Sequence, residues 1–411
     1  MKWTGLARAD FWRIDLWVAC LGIAAPCLAP AASWTLESDA AVSSEYNDNQ
    51  RLTAERQEAV WGRHADLDMR ISGATPKSDF RLNPKYRLSR FSSMGELDSD
   101  VAAMAMSTRL LGERVVSELS LDWRRDTTLT SELEDTGLVQ TNKNRITRGA
   151  HPYIQYAITE RMEGQLRWDY TDVAYEDASL TGLTDYSHRS LAGTLVFKRS
   201  SRDSLQADLY ASRLDAPEIG NQVMDVGARA SFTHAFYERS YGTFTIGAHR
   251  VETTQELPGP DFEITRHGFL GSVLLTQERA RTTWKAQAQR TIDPSGYGTL
   301  VQNDRFDLAI TERLSPYWTI RLDGLYLQND ALQSPVAFDS RRYARLTAQA
   351  FWSFSEAWRV SLRYAYQWQK YASAERGVDS NEIGINIAYR FDTKTLFVSS
   401  DQFILNKSEL P

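Results

Sequence analysis

From Trp34 to Phe391 the chain repeats one pattern, in which apolar side chains occupy every second position for about ten residues before a polar connection intervenes. In the first run Trp34, Leu36, Ala40, Val42 and Tyr46 alternate with Thr35, Glu37, Asp39, Ser43 and Glu45. The second sets Trp61, Ala65, Leu67, Met69 and Ile71 against His64, Asp66, Asp68, Arg70 and Ser72. The third sets Phe80, Leu82, Pro84, Tyr86 and Leu88 against Arg81, Asn83, Lys85, Arg87 and Ser89. A period of two is that of a β-strand with one apolar and one polar face. About eighteen such runs can be counted, with sixteen as the nearest alternative.

Connection lengths alternate as well. Short polar turns at Thr75-Pro76-Lys77, Gly112-Glu113-Arg114, Thr159-Glu160-Arg161, Tyr237-Glu238-Arg239, Gln277-Glu278-Arg279, Thr311-Glu312-Arg313 and Ser355-Glu356-Ala357 are separated by longer segments. Those longer segments are 47–57, 126–143, 176–185, 252–263, 292–303, 328–341 and 369–380. The recurring Glu-Arg at the short turns suggests a hairpin repeat of roughly forty residues. Tryptophans fall near strand ends, with Trp34, Trp318 and Trp358 on the short-turn side and Trp61, Trp123 and Trp368 on the other. Two aromatic belts suit a bilayer slab better than the core of a soluble sandwich or propeller. The expected fold is therefore all-β, a large antiparallel transmembrane β-barrel with short periplasmic turns and long extracellular loops. Both an open lumen and one narrowed by a loop such as 126–143, or by the C-terminal tail, are compatible with this pattern.

Composition changes the picture in two ways. A mean hydropathy of -0.44 would suit a soluble protein, but barrel strands dilute their apolar residues and a low average says nothing against them. The N-terminus points to export: Lys2, Arg8 and Arg13 precede the apolar run Leu16–Leu28, and Ala29-Pro30-Ala31 offers small residues for cleavage. Residues 1–32 are thus read as a secretory signal peptide, 33–391 as the barrel and 392–411 as a periplasmic tail. Both cysteines, Cys20 and Cys27, fall in the leader, so the mature chain would hold no thiol and neither a disulfide nor a thiolate metal site. The formal charge of -6, or -7 without the leader's net +1, argues against a nucleic-acid partner.

Chemistry is sparse. His64, His151, His188, His234, His249 and His267 include no pair at i, i+2 or i, i+4, and no serine-hydrolase elbow, phosphate loop or dinucleotide fingerprint occurs. No enzyme, metal or cofactor is expected. The polar faces instead carry Arg70, Arg81, Lys85, Arg87, Arg124, Arg167, Arg229, Arg321, Arg359 and Arg363. The acids of the same faces are Asp66, Asp68, Glu118, Asp122, Asp169, Asp208, Asp225 and Asp323. Arg81, Lys85 and Arg87 on one strand, with Arg70 beside them, predict a basic stripe along a conduit. The facing assignment predicts that Leu362→Arg disrupts assembly and that Gln367→Arg is tolerated. The last strong run, Glu382–Phe391, has the form of a barrel-assembly signal, with Gly384, Ile387, Tyr389 and Phe391 as its marks.

Several motifs together resemble a known group. These are Trp34-Thr-Leu with Glu45-Tyr46-Asn47-Asp48-Asn49, Pro84-x-Tyr86, Pro152-Tyr153-Ile154-Gln155-Tyr156, Thr159-Glu160-Arg161, Tyr170-Thr-Asp-Val173-Ala-Tyr175 and Pro294-Ser-Gly-Tyr-Gly298. They resemble the outer-membrane β-barrels of bacterial exopolysaccharide loci, including those linked to exosortase (PEP-CTERM) systems and related porin barrels. The resemblance implies a conduit in polysaccharide secretion and no catalytic residues. The partners expected are outer-membrane lipid, the barrel-assembly machinery and polysaccharide export components. A general diffusion porin and a non-conducting component of an envelope complex are the alternatives.

Overall fold

The computed structural model describes residues 33–54, 58–134, 136, 142–177, 182–255, 262–332 and 339–397; the leader read at 1–32 lies outside them. Each alternating run is a strand. The first nine are β1 (Ser33–Asn47), β2 (Val60–Thr75), β3 (Ser78–Phe91), β4 (Ser99–Leu111), β5 (Val115–Thr127), β6 (Asn144–Ala157), β7 (Met162–Tyr175), β8 (Tyr186–Lys198) and β9 (Asp203–Ala216). The next five are β10 (Asn221–Tyr237), β11 (Ser240–Gln255), β12 (Phe262–Glu278), β13 (Thr282–Ser295) and β14 (Thr299–Arg313). Then come β15 (Trp318–Ala331), β16 (Arg341–Ser353), β17 (Trp358–Tyr371), β18 (Val378–Arg390) and the short β19 (Lys394–Phe397).

From β1 to β18 each strand pairs antiparallel with the next, and β1 closes the sheet by pairing with both β2 and β18. The result is a closed barrel of eighteen strands. Closure matters because a free edge would leave N–H and C=O groups without partners in hydrocarbon. No helix among the described residues is long and apolar enough to cross a membrane. The start of the expected tail is a strand: β19 runs on beyond β18 along β1, with Trp34 opposite Phe397. Residues 398–411 lie outside the described part.

The apolar face looks outward. Ile246 is 72% exposed, Leu209 70% and Leu362 57%, values that only a lipid environment tolerates over so continuous a surface. At the short-turn end the rings of Trp318, Trp352, Phe354, Trp358, Tyr389 and Phe391 follow one another at centroid spacings of 4.8–6.4 Å. At the opposite end Tyr46 meets Trp61 at 5.3 Å. These are the two belts read from the sequence, placed where amphipathic rings match the headgroup layers. Ile387, Tyr389 and Phe391 of the expected assembly signal belong to the outer face, whereas Gly384 pairs with Glu45 and Arg363 on the inner one.

The connections differ from expectation in five places. Segment 292–303 is no long loop but the β13–β14 hairpin, closed by a turn between Ser295 and Thr299. Strands β11 and β15 run on to Gln255 and Ala331, shortening the expected 252–263 and 328–341 loops. The β3–β4 and β9–β10 connections instead carry short 3-10 turns, Gly95–Leu97 and Pro217–Ile219. Polar strand ends and polar loops look alike in composition, so pairing alone separates them.

A barrel paired all round opens as one unit. The purified protein is expected to migrate as a compact band on unheated gels and to shift on boiling; equal mobility before and after heating would speak against closure.

Candidate functional site

The inner face is a ladder of paired charges. Each base expected in the lumen lies on this face, and most meet an acid on the same or a neighbouring strand. Arg70 contacts Glu37 at 3.3 Å, Lys85 contacts Asp68 at 2.6 Å and Arg87 contacts Asp66 at 2.5 Å. Arg81 has no ion pair among the described residues. The predicted basic stripe is therefore matched by an acidic one on β1 and β2 and is no free cationic track. The sequence concealed this because a strand's partners depend on register, and direct neighbours come from other runs. Arg167 pairs with Asp169 at 2.9 Å, Arg321 with Asp323 at 2.7 Å and Arg363 with Glu382 at 3.0 Å. Arg359 donates to Ser353 Oγ at 3.4 Å.

The feature that shapes the lumen is the β5–β6 connection. It begins with one turn of helix, α1 (Thr128–Ser131), and its described residues Glu132, Leu133, Glu134 and Thr136 then reach side chains of both walls. Its near end is held by Glu132, which is 0% exposed and accepts from Tyr175 Oη at 2.8 Å, Thr136 Oγ1 at 2.8 Å and Arg145 Nη1 at 3.3 Å. Its far end is held on the opposite wall. Glu134 accepts from Arg305 of β14 at 3.0 Å and from Arg345 of β16 at 2.7 Å. Arg341 of β16 donates to the Leu133 carbonyl at 2.7 Å, and Tyr371 of β17 to that of Thr136 at 3.4 Å.

Two apolar clusters steady the long-loop end from within. Leu52, Met94, Leu97 and Leu129, from three connections, pack on Leu325, Leu327 and Tyr343 of β15 and β16. Leu183 and Leu332 join Val173, Tyr175, Tyr186, Leu214, Val223, Val251 and Leu300 in the second. Here the inner face turns apolar, because loops rather than water cover it. Gly298, at the β13–β14 turn, is built for this docking. Its φ is +69°, and an added Cβ would stand 2.4 Å from Thr184 Cγ2 and 2.8 Å from Ala216 Cβ, so only glycine fits.

Below the crossing loop the walls differ in charge. A cavity of about 760 Å³ is bordered on β13–β17 by Lys285, Arg305, Arg321, Arg345 and Arg363 against Asp307 and Asp323. A second, of about 460 Å³, borders β7–β13 and gathers Asp169, Asp208, Asp225 and Asp293 with Arg167, Arg229 and Arg290. The two meet at Gln289. A solute moving past Gln289 has a basic wall on one side and a nearly balanced one on the other, an asymmetry that orients polar molecules. Lys285, Arg305 and Arg345 were not singled out from the sequence, although each sits at a polar position of an alternating run. Among the described residues no group of three or more His, Cys, Asp and Glu is arranged to hold a metal.

No family model matches the chain, and no curated protein matches it. Solved barrels align with most of its length. OccK2 (OpdF) of Pseudomonas aeruginosa shares 12% identity at a TM-score of 0.47, covering 88% of this chain and 98% of its own. OpdO of the same organism shares 12% at 0.45, covering 91% and 100%. The alcaligin outer-membrane receptor FauA of Bordetella pertussis shares 12% at 0.43, covering 86% and 76%. These likenesses concern the barrel and nothing finer. The closed even-stranded sheet, the lipid-facing belts and the polar interior make the chain an outer-membrane β-barrel.

Proposed function

We propose that this outer-membrane barrel is a diffusion channel for small polar solutes, narrowed by its own β5–β6 loop. The observation that carries the reading is the pinning of Glu134 to Arg305 and Arg345 across the lumen. A segment tied to both walls leaves room for small molecules and obstructs a polymer. Passage of an exopolysaccharide, expected from the family resemblance, gains no support from the comparisons. The cluster of Arg305, Arg321, Arg345 and Arg363 favours solutes that carry a carboxylate or similar anion, since guanidinium groups match that geometry.

The experiment is single-channel recording in planar bilayers under a salt gradient. The wild-type protein is expected to conduct ohmically with a mild preference for anions. The double variant Arg321→Gln, Arg363→Gln is expected to move the reversal potential toward cations, about two- to fivefold in permeability ratio, since a charge at contact distance in water is worth about 1 kcal/mol. A correctly assembled barrel without conductance would overturn the channel and favour a structural role in the envelope.

A further inference from the structure

The β12–β13 ladder stops halfway. Pairing runs from Glu278–Thr283 to Gly271–Arg290, yet β12 stays with β11 as far as Phe262–Gln255 and β13 with β14 as far as Ser295–Thr299. Phe262–Leu270 and Thr291–Ser295 therefore part company. The cause is the β13–β14 tip, which has moved inside the barrel. Ile292 and Leu300 continue the rows that face lipid lower down, as Ala288 and Phe306 do, but they pack here on Leu214, Val223 and Val251 of the inner wall. The tip is fixed there by Asn221 Nδ2 donating to Gly298 O at 2.7 Å and Thr184 N donating to Gly296 O at 2.8 Å.

At the foot of this seam lies an outward groove of about 480 Å³ with walls from Phe269, Val273, Ala288, Phe306 and Tyr326. It shares Thr245, Gly271, Ser272, Gln289 and Arg290 with the polar inner cavity of about 460 Å³. No side chain covers Gly271, whose added Cβ would meet only the Thr245 carbonyl, at 3.6 Å. The Arg290 guanidinium stands 4.3 Å from the Phe269 ring and is held twice by Asp304, both at 2.6 Å. Immediately above Phe306 and Tyr326, the outward row Arg290, Asp304, Gln328, Arg342 and Lys370 is polar. The apolar groove thus ends where a bilayer passes from acyl chains to headgroups.

From this juxtaposition we infer that the β12–β13 seam is a lateral portal for a single-chain amphiphile of the outer leaflet, a long-chain carboxylate. Its chain lies in the outer groove, the part of the wall that hydrocarbon must fill. Its head reaches Arg290 and the polar cavity beyond, exchanging with Asp304 for the guanidinium. The inference rests on the broken ladder and is independent of ion conduction.

The test uses the full-length protein in lipid nanodiscs with a diazirine-bearing palmitate as probe, followed by irradiation and peptide mass spectrometry. Label is expected on 269–273 and 288–291, including the lumen-facing Ser272 and Gln289. It should fall at least fivefold with excess unlabelled palmitate and in Gly271→Trp, while label near Leu209 and Leu362 stays constant. Ala288→Leu fills the same groove more gently and should halve the label if the tryptophan variant does not assemble. Label spread evenly over the outer belt, or confined to outward positions with none on Ser272 and Gln289, would overturn the portal.

Discussion

Leu362→Arg is expected to reduce the yield of heat-modifiable barrel to a small fraction of wild type. Leu362 stands on the outer face of β17, 57% exposed and opposite Ile385 and Ala350. An arginine near the bilayer midplane costs about 2–4 kcal/mol, and no lumen water is within reach on that face. The control suggested by the sequence, Gln367→Arg, is a poor one. Gln367 does face inward, but it is only 8% exposed and accepts from Tyr343 Oη at 3.0 Å inside the apolar packing of the loops. An arginine there would overfill the site. Ser361, six residues nearer the short turns on the same inner face, is the better comparison, and Ser361→Arg should assemble normally. Equal yields of the Leu362 and Ser361 variants in an outer-membrane fraction would mean that the strand faces are assigned the wrong way round.

Glu134→Gln is expected to have the largest effect on transport without touching the barrel wall. The carboxylate is shared by Arg305 and Arg345, so its loss removes the two charged ties of the loop to the far wall and leaves Arg345 without its acid, while Arg305 keeps Asp307. Conductance should rise, and the anion-to-cation permeability ratio should increase about fivefold, the equivalent of about 1 kcal/mol for one charge at contact distance in water. The change should shrink at high salt, because the Debye length contracts to about 3 Å at 1 M. Unchanged conductance and reversal potential would place the permeation path away from Glu134.

Strand existence, strand facing and the count of eighteen were legible in the sequence for one physical reason. A wall with lipid on one side and water on the other demands a period of two at every strand, so the demand is written locally in each run. The same holds for Trp34, Trp61, Trp318 and Trp358, whose places near strand ends follow from the thickness of the bilayer. The expectation that Arg70, Arg81, Lys85, Arg87, Arg167, Arg321, Arg359 and Arg363 face the lumen followed from the same alternation.

What those side chains meet was decided by the tertiary structure. Glu134 lies 171 and 211 residues from the arginines that hold it, and no periodicity connects a loop to the far wall of a barrel. The basic stripe was neutralised by register, which brought Glu37, Asp66 and Asp68 against it. Residues 292–303 read as loop because their polar and glycine content is that of a turn, yet they form the hairpin that leaves β12 and folds inward. That departure depends on the inner wall offering Leu214, Val223 and Val251 at the right height. Such complementarity between distant surfaces exists only once the sheet has closed.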